Sequence, residues 1–147
     1  MSSVFTEILH GRSPGRFLWR DDTCFAILTI EPRRAGHALV IPNDEIDHWL
    51  DLPADTAEHI FRVGRLIGLA QKEEWGSPRV GVMYEGYMVP HAHLHVWPSW
   101  TVFEYSHTGI ERNARPADLD AAAVRLRARL RGHGHGTFVP DEAGAPA

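Results

Sequence analysis

Three histidines, His91, His93 and His95, stand at every second position of the segment Val89-Pro90-His91-Ala92-His93-Leu94-His95-Val96-Trp97-Pro98. In a strand, successive side chains point to opposite faces. The three imidazoles would then share one face, while Ala92, Leu94 and Val96 enter a core. Imidazole changes charge most readily near neutral pH, so such a stripe suits proton transfer, nucleophilic attack or anion binding. Metal binding and a solvated edge strand are the competing readings. A single ion shared by all three is awkward, because i to i+4 spans roughly 13 Å in a strand. Nor does a carboxylate or cysteine flank the run to complete a zinc shell.

The rest of the chain must supply a scaffold for that stripe. Its 147 residues fit one domain with a real core, and a 44% hydrophobic content marks a folded globular protein. No apolar run reaches membrane-spanning length, and the start Met1-Ser2-Ser3-Val4-Phe5-Thr6-Glu7 lacks the features of a signal peptide. A cytoplasmic protein with no membrane partner is therefore expected. Cys24 is the single cysteine, which leaves no internal disulfide and no cysteine cluster. A net charge of −4 argues against a nucleic-acid polymer as the main partner, while a small phosphorylated ligand needs only local donors.

Element signals follow in order. Val4 to Leu9 reads as a short helix, ended by the turn-like His10-Gly11-Arg12-Ser13-Pro14-Gly15. Strands are expected over Phe17–Trp19, Cys24–Ile30 and Gly36–Ile41, separated by Asp21-Asp22 and Glu31-Pro32, and the short turns predict an antiparallel meander. After Asp51-Leu52-Pro53, apolar residues from Ala57 through Ala70 recur at helical spacing up to about Trp75. His59 on that helix is expected to be solvated. Arg79–Tyr84 reads as a fourth strand, hairpin-linked through Glu85-Gly86-Tyr87 to the histidine strand. Beyond Trp100, Thr101–Arg115 has no clear period and Pro116–Arg131 is helical, with Arg125, Arg127, Arg129 and Arg131 on an exposed basic helix. The glycine-rich tail 132–147 is expected to be flexible, with His133 and His135 solvated. The organisation expected is a domain over 1–105 and an extension over 106–147 carrying a helix near 116–131.

The run His91-Ala92-His93-Leu94-His95-Val96-Trp97 matches the pattern His-φ-His-φ-His-φ-φ, with φ apolar, of the histidine triad (HIT) superfamily. The segments Phe5 to Pro14, Trp19-Arg20-Asp21-Asp22, Gly36-His37-Ala38-Leu39-Val40-Ile41-Pro42 and Asp51-Leu52 fall in the family's order and spacing. From about Val4 to Trp100 the chain resembles this family, nearest its small actinobacterial HIT-like members.

The resemblance implies an α+β fold: a HIT-like half-barrel of about five antiparallel strands with one long helix, a short N-terminal helix and, here, a C-terminal helical extension. It implies a homodimer, formed through the long helix and a neighbouring strand, that binds a purine nucleotide or nucleotide conjugate. The chemistry implied is hydrolysis or transfer at the α-phosphate of nucleoside phosphoramidates, dinucleoside polyphosphates or similar compounds. By position, His93 becomes the nucleophile that forms a nucleotidyl-histidine intermediate. His95 donates to the phosphate oxygens or assists the leaving group, His91 supports the strand's geometry, and His37 completes the histidine cluster. Phe5, Ile8, Thr29 and Ile30 match positions that wall the base or meet the ribose, with Thr29 replacing a usual Asp or Asn. No cofactor and no metal is required.

Two departures stand out. Where some relatives carry a structural zinc site, this chain has Ser3, Thr6 and Glu45, so no such zinc is expected. Where the family has Gly-Gln and a polar residue before the triad, this chain has Gly86-Tyr87-Met88. Tyr87 is a candidate replacement donor, or else a ring packed on the hairpin. The altered loop keeps a second function class open, a nucleotide-binding regulatory protein with little turnover.

Overall fold

The computed structural model describes residues 1–141. Helix α1 (Val4–Leu9) is capped by Ser3, whose hydroxyl accepts the Thr6 N–H at 3.1 Å. Strands β1 (Phe17–Arg20) and β2 (Cys24–Leu28) are joined by a turn in which the Asp21 carboxylate accepts the N–H groups of Thr23 and Cys24, both at 2.8 Å. Strand β3 (Ala38–Pro42) precedes the long helix α2 (Ala54–Trp75), which stops at Gly76 in the left-handed conformation. Strand β4 (Arg79–Tyr84), strand β5 (Leu94–Ser99) and helix α3 (Pro116–Gly132) complete the regular elements. The sheet order is β1-β2-β3-β5-β4, antiparallel throughout. The expected α+β architecture is therefore the observed one.

Alternation in the strands divides the apolar residues between the two faces of the sheet. Ala26, Leu28, Val40, Leu94 and Val96 pack with Ile60, Val63 and Ile67 of α2 and with Leu126 and Leu130 of α3. Phe25, Ile27, Leu39 and Ile41 point the other way, toward Phe5 and Ile8 of α1. His95 lies opposite Leu39 in register and therefore falls on the α1 side. Helix α2 can come close to β5 because Gly64 faces it: a Cβ there would sit 3.0 Å from Leu94 Cδ2.

Several expected boundaries shift. Strand β2 ends at Leu28 rather than Ile30, and β5 begins only at Leu94. Pro90 offers no N–H, the His91 N–H turns back to Val89 O at 2.8 Å, and the Ala92 N–H bonds Ile46 O at 2.7 Å. The backbone of His91 and Ala92 is thus anchored to the 44–46 loop and the preceding turn, yet Ala92, Leu94 and Val96 still enter the core as the alternation requires.

The C-terminal region is better integrated than its composition suggests. Arg127 is buried and donates to Phe17 O at 2.7 Å, while Arg125 and Arg129 pair with Glu74, so the basic helix is not uniformly solvated. His133 bonds Glu73, and Phe138 stacks on Trp19 with ring centroids 4.8 Å apart. The segment 133–139 is thus docked; the rest of the tail expected to be flexible, residues 142–147, lies outside the described residues. His59 is also engaged, bonding Asp21 at 2.6 Å.

Candidate active site

The site is built on the α1 face of the sheet, where β3 and β5 bring His37 and His95 side by side. The Arg33 N–H donates to His37 Nδ1 at 3.0 Å, so His37 carries its proton on Nε2. That Nε2–H donates to His95 Nδ1 at 2.9 Å. A neutral His95 must then hold its own proton on Nε2. His93 has the opposite tautomer: its Nδ1–H donates to His91 O at 2.8 Å, leaving Nε2 with a bare lone pair. These assignments follow from the partners each ring nitrogen meets. They give one imidazole suited to attack and, next to it with centroids 5.0 Å apart, one suited to donate a hydrogen bond.

Burial keeps the cluster neutral. His95 is held down to about 3, first by burial and then by the nearby His93 and Arg33. His37 is pushed well below its usual range first by burial and then by the nearby His95, Arg33 and His93, and His93 and His91 are lowered mainly by burial.

His91 stands behind His93 and plays a supporting part. Its Nε2–H donates to Pro42 O at 2.8 Å, and its Nδ1 accepts the Ser3 hydroxyl at 2.6 Å. Phe5 packs edge-on against His93, 4.8 Å between centroids. Helix α1 therefore contributes a polar clamp through Ser3 and an apolar wall through Phe5.

A cavity of about 720 Å³ opens in front of the histidines and is bordered by His37, His93 and His95. Phe5, Ile8, Thr29, Ile30 and Tyr87 border the same cavity, so the structure brings together the expected site residues, with His91 set behind the wall. Ile30 and Tyr87 lie at the rim, and Tyr87 is 89% exposed rather than packed on the hairpin. The Thr29 hydroxyl already accepts the Glu31 N–H at 3.2 Å, which leaves its proton for a ligand. Among the residues bordering the cavity that the sequence did not single out are Arg33, Glu85, His107 and Arg112. Arg33 follows Pro32 only four positions before His37, a proximity that could have drawn notice; His107 and Arg112 lie in the segment without periodicity.

Ser3, Thr6 and Glu45, the residues at the zinc positions of some relatives, meet one another and His91. The Ser3 N–H and the Thr6 hydroxyl donate to Glu45 Oε1 at 2.5 and 2.8 Å, and the Ser3 hydroxyl meets His91. Two hydroxyls, one carboxylate and one imidazole whose Nδ1 is already engaged do not fit a structural zinc, which favours thiolate and free imidazole donors. The cluster is a hydrogen-bonded junction between α1, the 44–46 loop and the triad.

A five-stranded antiparallel sheet with a long helix on one face and a neutral, tautomerically ordered histidine cluster on the other defines a histidine-centred site. The HIT domain matches residues 10–101, and the chain belongs to the HIT family. It is 26% identical over 103 residues to an uncharacterized HIT-like protein of Saccharolobus solfataricus, covering 67% of this chain and 74% of that one. It is 29% identical over 100 residues to an adenylylsulfatase of Arabidopsis thaliana, covering 65% of this chain and 51% of that protein. Among solved structures, a zinc-bound histidine triad family protein of Mycobacterium smegmatis superposes with a TM-score of 0.78 at 27% identity, covering 92% of this chain and 98% of that one.

Proposed function

We propose that this protein binds a purine nucleotide conjugate and hydrolyses it, or transfers its nucleotidyl group, by attack of His93 on the α-phosphate. The observation that carries the reading is the opposed tautomers of His93 and His95 on one cavity wall. His93 Nε2 forms a bond to phosphorus while the bond from phosphorus to the leaving group breaks. The departing atom accepts a hydrogen bond from His95 Nε2–H and takes its proton from solvent, and the His91 carbonyl, already bonded to His93 Nδ1–H, favours the positive charge that develops on the His93 ring. Water then attacks the nucleotidyl-histidine and releases its proton to solvent, the bond from phosphorus to His93 Nε2 breaks, and the nucleotide departs with both imidazoles as they began. Phe5 and Ile8 offer the base an apolar wall, Thr29 and Ile30 line the approach of the sugar, and Tyr87 at the rim offers a hydroxyl. The relationship to an adenylylsulfatase supports a nucleotide substrate.

The acting unit in this reading is a homodimer. Strand β4 is an edge of the sheet, Val82 on it is exposed, and Phe61 and Leu69, eight residues apart on one face of α2, are exposed as well.

The test is turnover of adenosine phosphoramidate and of a dinucleoside polyphosphate by the wild type and His93→Ala, with AMP binding measured on both. Turnover lost in the variant with binding retained is the expected result. Tight binding without wild-type turnover would instead make the protein a regulatory nucleotide binder, the reading that the substituted Gly86-Tyr87-Met88 loop favours.

A further inference from the structure

Arg33 is a buried cation with half of its guanidinium unused. Its side chain is 1% exposed, and the group lies over the Trp97 ring, 5.5 Å from the centroid. Nη1 donates to two carbonyl oxygens, Glu104 O and Ser106 O, both at 2.6 Å, which ties the C-terminal extension to the turn before β3. That accounts for two of its five N–H groups. Nε has no partner among the described residues, and Nη2 has only Glu85 Oε2 at 3.9 Å, longer than a hydrogen bond. The edge formed by Nε and Nη2 is the one that grips phosphate through two parallel bonds. Glu85 is shared: its other oxygen meets His107 Nε2 at 2.5 Å. Arg33, Glu85 and His107 all border the cavity that holds His93 and His95.

In the nucleotide reading above, Arg33 lies beside His95 and so on the leaving-group side. Its backbone N–H fixes His37 and, through it, His95, and its charge weighs on the titration of these two histidines. A structural clasp explains the Nη1 bonds. It does not explain a second, buried edge left short of acceptors, since an unpaired buried donor is unfavourable.

We propose that Arg33 and His107 form a phosphate subsite beside His95, so that the preferred substrate carries a second phosphate in its leaving group. This rests on the nucleotide reading above. The β-phosphate would take the place of the Glu85 carboxylate against Nη2 of Arg33 and Nε2 of His107. Glu85 then acts as an internal stand-in for the anion, and it disfavours leaving groups that cannot displace it. The class selected is the nucleoside polyphosphate rather than the phosphoramidate, whose amine leaving group brings no anion to this edge. The loop Gly86-Tyr87-Met88 carries no amide or cationic side chain, and Arg33 with His107 offers donors on this side of the cavity.

Calorimetric titration with AMP and with ADP tests this on the His93→Ala protein, in which turnover is blocked. ADP should bind at least about tenfold more tightly than AMP. Adding Arg33→Lys or His107→Ala should reduce that preference with AMP affinity held within about twofold, and Glu85→Gln should widen it. His107 is exposed, so its replacement leaves the fold intact and keeps the test valid if the Arg33 variant unfolds. Equal affinity for the two nucleotides, or variants that weaken both alike, would overturn the subsite while leaving the nucleotide reading standing. No binding of either would remove the nucleotide reading and the subsite with it.

Discussion

Nucleophilic attack by an imidazole requires a bare nitrogen aimed at the electrophile, and His93 has one because the His91 carbonyl claims the proton on its other nitrogen. Protonation of His93 Nε2 would remove that lone pair. Since burial lowers its pKa below the ordinary imidazole value of 6.5, the free protein holds His93 neutral at and above that pH and loses the nucleophile only as the pH falls further. The acid limb of kcat/KM should therefore lie below pH 6.5, with no rise across neutrality. A limb centred near or above 7 would contradict the buried, neutral site. His95 makes a second prediction at this scale. If its Nε2–H stabilises the departing atom, His95→Ala should lower kcat by about 10²–10³-fold for an amine leaving group and much less for a nitrophenolate, which departs without help. Equal losses for both would assign His95 to phosphate binding alone.

The elements explain why those residues meet. Strand alternation puts His95 opposite Leu39 on the α1 face while Leu94 and Val96 bury against α2, and this much follows from the period of the histidine run. The bounds of β4 and the end of α2 at Trp75 were also legible, because apolar spacing and the Gly76-Ser77-Pro78 break mark them locally. The late start of β5 was not, since it depends on the Ala92 N–H finding Ile46 O, a contact between distant segments. Close packing of α2 on β5 relies on Gly64. Gly64→Val should lower stability by about 1–3 kcal/mol through forced displacement of Leu94, measured by thermal unfolding. An unchanged midpoint would show that α2 and β5 can separate without loss.

At the scale of the whole molecule, residues 104–120 close one side of the cavity rather than trailing away from the domain. The bonds from Arg33 to Glu104 and Ser106, from Glu111 N–H to Pro32 O at 2.8 Å, and from Arg112 to Glu31 at 3.2 Å bind residues 104–112 to the loop before His37. These pairings join residues more than seventy positions apart in a segment with no hydrophobic period, so local reading had nothing to register. The outer face carries the proposed dimer. Phe61→Glu with Val82→Glu should convert the protein to a monomer in sedimentation velocity, and a protein that is monomeric before substitution would contradict that assembly. Catalysis in the proposed reaction is covalent, at His93. Its most direct test is rapid mixing of the wild type with a dinucleoside polyphosphate, neutral denaturing quench and intact mass analysis with peptide mapping. A chain heavier by one nucleoside monophosphate, carried on His93 and absent in His93→Ala, is the predicted result; full turnover in the His93→Ala protein, or turnover of the wild type with the nucleotide never found on the chain, would contradict it.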